Sequence, residues 1–193
     1  MVTAVLTADQ LSAVEQLIDR VSERQRQDFG HISSDLKADG TLITACDRWS
    51  DEAFVEGLTK IAPGEGVLSE EGSKLVPNSR AYWVVDPLDG TTNFAAGIPY
   101  WAISVARFVD GRPSEVFLDV PALRQRIVAL KGRGAFRNGE ALTAETRLLA
   151  NSACVSLCSR SIRVLQRKPD QPFPGKIRLL GVASLNLVSV AMG

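Results

Sequence analysis

The spacing of apolar residues in the first part of the chain predicts two helices joined by a turn. Apolar residues recur every three to four positions from residue 9 to about 28, with charged residues between them, which is typical of an amphipathic helix. A second helix is predicted from residue 44 to about 61, where Pro63 and Gly64 follow it. Between the two helices, residues 37–41 contain an Asp-Gly pair and predict a tight turn.

From residue 66 onward, short apolar runs predict strands instead. The runs lie at residues 66–69, 81–85, 102–109, 116–120 and 127–130. An Asp-Gly pair within residues 110–113 predicts a hairpin turn, and the glycines that follow residue 130 continue the antiparallel pattern. Helices packed on a mainly antiparallel sheet give a layered α/β (α+β) sandwich, which is the fold class we expect.

The pattern changes near residue 148 and predicts a boundary between two regions. Residues 1–147 would form an N-terminal α/β sandwich that carries the metal site, and residues 148–193 the start of a C-terminal α/β region. Strands at 153–157 and 177–180, a short helix at 159–167 and an apolar helix from Ala183 are predicted there. The last helix is apolar nearly all round and needs protein on several sides. We therefore expect this second region to be incomplete.

Composition narrows the chemistry more than it narrows the fold. The 193 residues contain 22 Lys and Arg against 22 Asp and Glu, a balance that does not favour a nucleic-acid partner. We see no signal peptide and no membrane span, and the odd number of cysteines fits reduced thiols, so we expect a cytoplasmic protein. The single histidine, His31, argues against zinc hydrolases and histidine-dependent triads. Carboxylates, hydroxyls and a metal ion are the expected chemical groups.

Two aspartates follow the strand predicted at residues 81–85. This strand delivers Asp86 at its end, Pro87 breaks the hydrogen-bond ladder, and Gly90 permits a sharp turn. Asp86 and Asp89 can then face one pocket, with the Leu88 carbonyl as a third oxygen. Hard cations such as Mg²⁺ prefer oxygen ligands of this kind. The alternative is a strand followed by an ordinary turn that carries two solvated aspartates.

Neighbouring residues favour the cation site over the ordinary turn. Glu70 and Glu71 follow another short apolar run, so two strand ends can bring four carboxylates together. Carboxylates brought into one pocket repel each other unless a cation lies between them. Thr91 and Thr92 add hydroxyls directly after the turn.

The segment at residues 86–94, Asp-Pro-Leu-Asp-Gly-Thr-Thr-Asn-Phe, resembles the signature of the inositol monophosphatase family, the Mg²⁺-dependent, lithium-sensitive phosphatases. Residues 37–47 resemble the family segment that ends in Thr-x-x-Asp, and residues 68–72 resemble its Glu-Glu motif. Residues 178–187 resemble its substrate-side segment at a helix start. The resemblance covers essentially the whole chain. It implies an αβαβα sandwich of the sugar-phosphatase type and hydrolysis of a small phosphate ester.

The resemblance also implies roles for individual residues. The implied metal ligands are Glu70, Asp86, Leu88 (by its carbonyl) and Asp89. Of these, Asp86 and Asp89 would contribute to a second Mg²⁺, in a site that holds two or three ions. Thr91, hydrogen-bonded to Asp47, would position and deprotonate the attacking water. The implied catalytic residues are Asp47, Glu70 and Thr91. The implied phosphate- and substrate-binding residues are Glu70, Leu88, Asp89, Gly90, Thr91, Gly181, Val182 and Ala183.

Two of these residues have a structural interpretation as well. Thr44-x-x-Asp47 is also a capping box, in which Asp47 occupies the third position of the second helix. Gly181 precedes a helix and is equally compatible with a packing glycine. Asp47 can serve both roles, because one acid can cap a helix and also orient a threonine.

The expected activity depends on a segment that this sequence does not contain. The family carries a later Trp-Asp-x-Ala-Ala-Gly motif whose aspartate completes the second metal site. A truncated, catalytically impaired homologue is therefore a second hypothesis. For an active enzyme, inositol-1-phosphate is the leading substrate, with histidinol phosphate, fructose 1,6-bisphosphate and 3′-phosphonucleotides as alternatives. The resemblance further implies lithium inhibition and a homodimer.

A rival enzyme class is indicated by Cys154 and Arg160, which have the C-x₅-R spacing of cysteine-dependent phosphatases. The residues between them include bulky Val155 and Leu157 and no glycine that would let the backbone curl around phosphate. A strand with buried cysteines is the favoured interpretation. A thiol phosphatase would resist EDTA and be inactivated by iodoacetamide.

Overall fold

A computed structural model of the chain describes residues 5–37, 42–73, 75–143, 154–157 and 175–192. Its internal contacts divide the chain into two compact units, Met1–Leu142 and Thr143–Gly193. The boundary predicted between residues 147 and 148 lies outside the described residues and stays a prediction.

Two helices of the first unit begin with matching capping boxes. Helix α1, Ala8–Asp28, is capped by Thr7. The Thr7 side chain accepts from the Gln10 backbone amide, and the Gln10 side-chain oxygen accepts from the Thr7 backbone amide. Helix α2, Ala45–Ile61, is capped in the same way by Thr44 and Asp47. Both predicted helices are confirmed. Within the described ranges, no helix is long and apolar enough to cross a membrane.

The described strands of the first unit form a small hairpin and one large sheet. The hairpin pairs β1, Ser34–Leu36, with β2, Leu42–Thr44. The seven strands of the sheet, which are adjacent in chain order, are β3 Gly66–Ser69, β4 Ala81–Asp89, β5 Ala102–Val109, β6 Arg112–Val120, β7 Gln125–Leu130, β8 Gly134–Arg137 and β9 Glu140–Ala141. Strands β3 and β4 are parallel, and each later neighbour is antiparallel. The prediction of helices on a mainly antiparallel sheet is confirmed.

One face of this sheet forms the core with α1 and α2. Alternate residues of β4 and β5 point to this face and are buried, as period-two side-chain alternation requires. The buried cluster comprises Leu6, Val14, Leu17, Ile18, Val21, Phe54, Leu58, Ala62, Trp83, Val85, Ile103, Val105 and Phe117. Burial of each large apolar side chain stabilises the fold by about 1.5–3 kcal/mol.

Strand β4 differs from its predicted form at the point that matters for the site. The sequence predicted a strand that ends at Asp86, whereas β4 continues to Asp89. Asp86 pairs with Ser104 and Asp89 with Ala102, so β4 advances one residue more than β5 and the register shifts. Pro87 explains both observations, because its backbone suits an extended chain but has no N–H to donate to the ladder.

A short helix, α3, Thr91–Ala95, follows β4 directly and rests on an aromatic cluster. The Phe94 and Trp101 rings meet edge-to-face at 5.0 Å between centroids, and Phe29 stacks on Trp101 at 4.7 Å. Such aromatic pairs add about 0.5–1.5 kcal/mol beyond the area they bury. The cluster therefore anchors the segment after β4 to the end of α1.

The hairpin between β5 and β6 is tighter than predicted. Strand β6 begins at Arg112 rather than near residue 116, and the connection consists of Asp110 and Gly111. Both have positive φ, 51° and 72°. This geometry follows the right-handed twist of the flanking strands and explains why an Asp-Gly pair lies there.

The second unit contains β10, Cys154–Leu157, which pairs in parallel with β11, Lys176–Leu179, followed by helix α4, Ala183–Ala191. The predicted strands and last helix are confirmed, and the helix predicted at 159–167 lies outside the described residues. Cys154 is exposed, so its predicted burial is wrong, since β10 has only one neighbouring strand in the described part of its sheet.

A buried charge cluster supplies a prediction about stability. Arg107 on β5 is 0% exposed and donates to both carboxylate oxygens of Glu65, at 2.8 and 2.6 Å. It also donates to Glu115 at 3.2 Å, whose other oxygen accepts from the Leu6 amide. Arg107→Met should cost about 3–5 kcal/mol in the free energy of unfolding, because it leaves two buried carboxylates without their counter-charge. Urea denaturation measures the loss.

A surface pair provides the control for this prediction. Arg80 forms a bidentate pair with Asp110, and both side chains are exposed. Arg80→Met should leave the urea midpoint nearly unchanged, because solvent screens such pairs. Equal losses in the two variants would show that the Arg107 cluster does not contribute as its burial implies.

Candidate active site

The contact between Asp47 and Thr91 joins helix α2 to the segment after β4. Asp47 lies in the first turn of α2 and is 1% exposed. Its Oδ1 accepts from the Thr91 hydroxyl at 2.7 Å. Its Oδ2 accepts from the Thr44 amide at 2.8 Å and the Thr44 hydroxyl at 2.5 Å. Asp47 therefore caps the helix with one oxygen and orients Thr91 with the other.

Backbone geometry brings the Thr91 hydroxyl beside the Leu88 carbonyl as well. Gly90 precedes Thr91 with φ 105°, a conformation that side chains rarely adopt, and this allows the chain to turn from β4 into α3. Thr91 Oγ1 is 3.2 Å from the Leu88 carbonyl oxygen. A hydroxyl has one proton to donate, and the shorter contact is with Asp47.

Asp86 lies on β4 beside the end of β3, where the charges of Glu70 and Asp89 act on it. Because these strands are parallel, with Ser69 opposite Val85, their carboxyl ends meet at one edge of the sheet. Glu70 and Asp86 follow these two residues. Burial, and then the negative charges of Glu70 and Asp89, raise the pKa of Asp86 to about 8. A carboxylate in such surroundings lacks a counter-charge.

Lys37 is a charged neighbour of this edge that sequence reasoning did not single out. Its Nζ lies 2.5 Å from Glu71 Oε1 and 3.7 Å from Glu70 Oε1. Burial alone would lower the pKa of Lys37, but the hydrogen bond and the charges of the two glutamates outweigh it and raise that pKa. Lys37 opens the segment that resembled the family, yet nothing local in the sequence indicated which acids it meets.

A second layer of polar residues lies behind Glu71. The Ser69 hydroxyl donates to Asp51 of α2, and both residues are buried. Burial, and then the charge of Glu71, raise the pKa of Asp51. Glu71 is thus held between the ammonium of Lys37 and a buried acidic neighbour, whereas the Glu70 side chain is exposed.

The predicted metal ligands can be compared with this geometry. In the part of the chain that the structure describes, no group of three or more His, Cys, Asp or Glu side chains is arranged so that it could hold a metal ion. The chemistry of the donors nevertheless fits a hard divalent cation. Asp86 interacts with both Glu70 and Asp89, and the Leu88 carbonyl oxygen lies on the same segment. An excess of negative charge at a half-buried strand end is what a cation would neutralise.

The predicted substrate residues at 181–183 belong to the second unit. Gly181 has φ 74°, Val182 is buried at the cap position of α4, and Ala183 begins that helix. The positive φ gives Gly181 a conformational reason to be glycine. The role of these three residues in substrate binding stays a prediction.

A pocket lies beside the carboxylates of the proposed metal-dependent phosphatase, whereas Cys154 of the alternative cysteine-dependent phosphatase lies on a strand. A pocket of about 430 Å³ borders Glu70 and Asp86 and is otherwise lined by Leu68, Ser69, Val84, Val85, Ser104 and Ala106. Its volume lies in the range of small-molecule sites. Cys154, in contrast, begins a strand rather than a phosphate-binding loop, and Arg160 lies outside the described residues.

Comparison with known proteins agrees with the motifs. The chain is 36% identical over 159 residues to histidinol-phosphatase of Mycobacterium tuberculosis, covering 81% of this chain and 60% of that protein. It is 31% identical over 194 residues to inositol-1-monophosphatase of Rhizobium meliloti, covering 95% of this chain and 73% of that protein. The solved IMPase of Thermotoga maritima superposes with a TM-score of 0.85 at 28% identity, covering 96% of this chain and 73% of that one.

The chain spans only part of the length of these relatives, and 60% of the first. A profile of the inositol monophosphatase family matches residues 2–193. The fold, the order of the motifs and this match lead to one conclusion. The chain belongs to the inositol monophosphatase family.

Proposed function

We propose that this chain is a Mg²⁺-dependent phosphomonoesterase that acts on a small phosphate ester, with inositol-1-phosphate as the first candidate. One observation carries the proposal: the 2.7 Å hydrogen bond from the Thr91 hydroxyl to Asp47, beside the carboxylates at the ends of β3 and β4. A hydroxyl tied to a buried carboxylate next to a cation-binding edge is suited to activate water.

The ligands follow from the donors at this edge. Glu70, Asp86 and the Leu88 carbonyl would hold one Mg²⁺, and Asp86 with Asp89 would contribute to a second. Bound Mg²⁺ supplies Lewis-acid activation of water and neutralises charge on the transferring phosphoryl group. The family resemblance supports a site with two or three ions. The excess of negative charge around Asp86 supports the need for a cation at this edge.

The protein's own groups then move the proton. Thr91 Oγ1 donates to Asp47 Oδ1, so its lone pairs are free to accept the proton of the attacking water while its own proton passes to Asp47. The water oxygen bonds to phosphorus as the ester P–O bond breaks, and the departing alkoxide takes a proton from solvent. The Gly90 and Thr91 amides, at the start of α3, would bind phosphate oxygens.

The substrate is the finer part of the proposal. The relatives named histidinol-phosphatase and inositol-1-monophosphatase support histidinol phosphate and inositol-1-phosphate as candidates, and fructose 1,6-bisphosphate and 3′-phosphonucleotides remain alternatives. The family resemblance supports Gly181, Val182 and Ala183 as residues that contact the organic part of the substrate. A panel of these four ester classes, assayed for phosphate release at fixed Mg²⁺, ranks them by kcat/KM.

Two further features are proposed on the resemblance and the composition. A homodimer is supported by the resemblance alone, and sedimentation velocity tests it. A cytoplasmic location is supported by the odd cysteine count, which fits reduced thiols.

Chelation separates the metal mechanism from the thiol mechanism. EDTA should abolish phosphate release, and excess Mg²⁺ should restore it, because the proposed chemistry needs the cation. Iodoacetamide should leave turnover intact even after it alkylates the exposed Cys154. Burial raises the pKa of Cys46 to about 12, so this thiol should not react. Activity that survives EDTA but not iodoacetamide would contradict the proposal, and Mg²⁺ binding without turnover would favour the impaired homologue.

A further inference from the structure

We propose that Gln25 is a positioning residue that holds the Asp86–Asp89 segment in the conformation that binds Mg²⁺. The proposal rests on the proposed function, because it concerns the same site. Gln25 lies in helix α1, belongs to none of the sequence motifs, and is separated from the segment by 62 residues.

Every polar group of the Gln25 side chain has a partner. The side chain is 0% exposed, and its Nε2 donates to the Pro87 carbonyl at 2.8 Å and to Ser50 Oγ at 3.1 Å. Its Oε1 accepts from Trp101 Nε1 at 3.0 Å. An indole N–H can only donate, so this contact fixes which end of the amide faces Trp101 and which faces Pro87.

The Pro87 carbonyl needs this partner because of the irregular register of β4. Pairing with β5 passes from Asp86 to Asp89 without including the two residues between them. Pro87 is buried, and a buried carbonyl without a hydrogen bond is costly. Gln25 supplies the hydrogen bond that the strand ladder does not.

The next carbonyl along the chain is that of Leu88, one of the proposed metal ligands. The Pro87 carbonyl belongs to the planar peptide unit that joins Pro87 to Leu88, so the bond from Gln25 restrains the backbone from which the Leu88 carbonyl extends. The Leu88 oxygen lies 3.2 Å from the Thr91 hydroxyl, on the side of the proposed chemistry. Gln25 thus acts on the metal ligand through one peptide unit.

The same amide also connects helix α2 to this segment. Ser50, the second acceptor of Nε2, lies one helical turn after Asp47. One side chain of α1 therefore contacts both the helix that carries Asp47 and the strand that carries Asp86. This arrangement holds Asp47 and Thr91 at the distance of their hydrogen bond.

Two substitutions distinguish positioning from a general effect on packing. Gln25→Met keeps the length of the side chain but removes its hydrogen bonds to Pro87, Ser50 and Trp101. Ser50→Ala is the matched control, because it removes the other acceptor of the same nitrogen and leaves the Pro87 bond in place. Both changes remove hydrogen bonds in the same buried region, so a purely structural role predicts that Mg²⁺ affinity falls in proportion to the loss of melting temperature in both variants.

Two readouts are needed, and neither requires turnover. Isothermal titration calorimetry should show Mg²⁺ affinity weakened about 10- to 100-fold in Gln25→Met, the usual effect of losing a partner that orients a metal ligand. In Ser50→Ala the affinity should stay within about twofold of wild type. Hydrogen exchange of the metal-free proteins should be faster at residues 88–91 in Gln25→Met only, with β5 unchanged in both.

Equal loss of Mg²⁺ affinity in both variants, or unchanged affinity in Gln25→Met, would overturn the proposal. If Gln25→Met does not fold, Gln25→Asn replaces it, because the shorter side chain keeps the amide but cannot reach the Pro87 carbonyl from the same backbone position. Failure of the proposed function has a different signature. In that case the wild-type chain releases no phosphate from any ester, whatever the two variants do to exchange and Mg²⁺ binding.

Discussion

Asp89→Asn is expected to abolish Mg²⁺-dependent phosphate release while leaving the fold intact. Asp89 ends β4, and its negative charge is one of the causes that raise the pKa of Asp86. Asparagine keeps the shape but removes the charge that a second cation needs. Loss of one charge-stabilising group costs about 10²- to 10³-fold in rate, and loss of a shared metal ligand should cost at least as much. Turnover at saturating Mg²⁺ and the melting temperature measure the two effects.

The melting temperature should not fall, because relief of repulsion among neighbouring carboxylates offsets small packing changes. Asp35→Asn, a surface change of identical chemistry in β1, is the control and should keep full turnover. Unchanged turnover in Asp89→Asn would show that the metal ligands have been assigned to the wrong residues.

Thr91→Ala is expected to lower kcat by about 10²- to 10⁴-fold, the usual range for removing a proton-transfer group. It deletes the hydroxyl that donates to Asp47 at 2.7 Å and leaves the carboxylates in place. Mg²⁺ affinity measured by calorimetry should therefore stay near that of wild type. Thr91→Ser restores the hydroxyl and should recover most of the activity.

Thr92→Ala provides the matched control, since Thr92 is the next residue of α3 but is exposed. It should retain both turnover and Mg²⁺ affinity. If Thr91→Ala and Thr92→Ala lower kcat equally, the effect comes from α3 as a whole and not from the bond to Asp47.

Local sequence signals predicted the elements that carry the site. The periodicity of α1 and α2 and the apolar runs of β3, β4 and β5 gave their positions, because burial on one face imposes a repeat on the sequence. The capping-box pattern predicted that Asp47 caps the first turn of α2 together with Thr44. Its contact with Thr91 came from the family resemblance rather than from any spacing, since the two residues are 44 positions apart.

Features that depend on tertiary partners were not predictable in this way. Gln25 reads as an ordinary helix residue, and only the fold shows that it meets Pro87 and Trp101, which lie 62 and 76 positions away. The pairing of Lys37 with Glu71 is likewise set by packing. The continuation of β4 through Pro87 was missed for a local reason, because proline usually ends a strand but here occupies an irregular position in the ladder.

The most direct test of the proposed active site is to locate the cation itself. Crystals of the protein soaked in Mn²⁺, which replaces Mg²⁺ and scatters anomalously, reveal the ion's position without reference to activity. We expect an anomalous peak coordinated by Glu70, Asp86 and the Leu88 carbonyl. A peak elsewhere on the protein, with none at the ends of β3 and β4, would contradict the assignment of this edge as the metal centre.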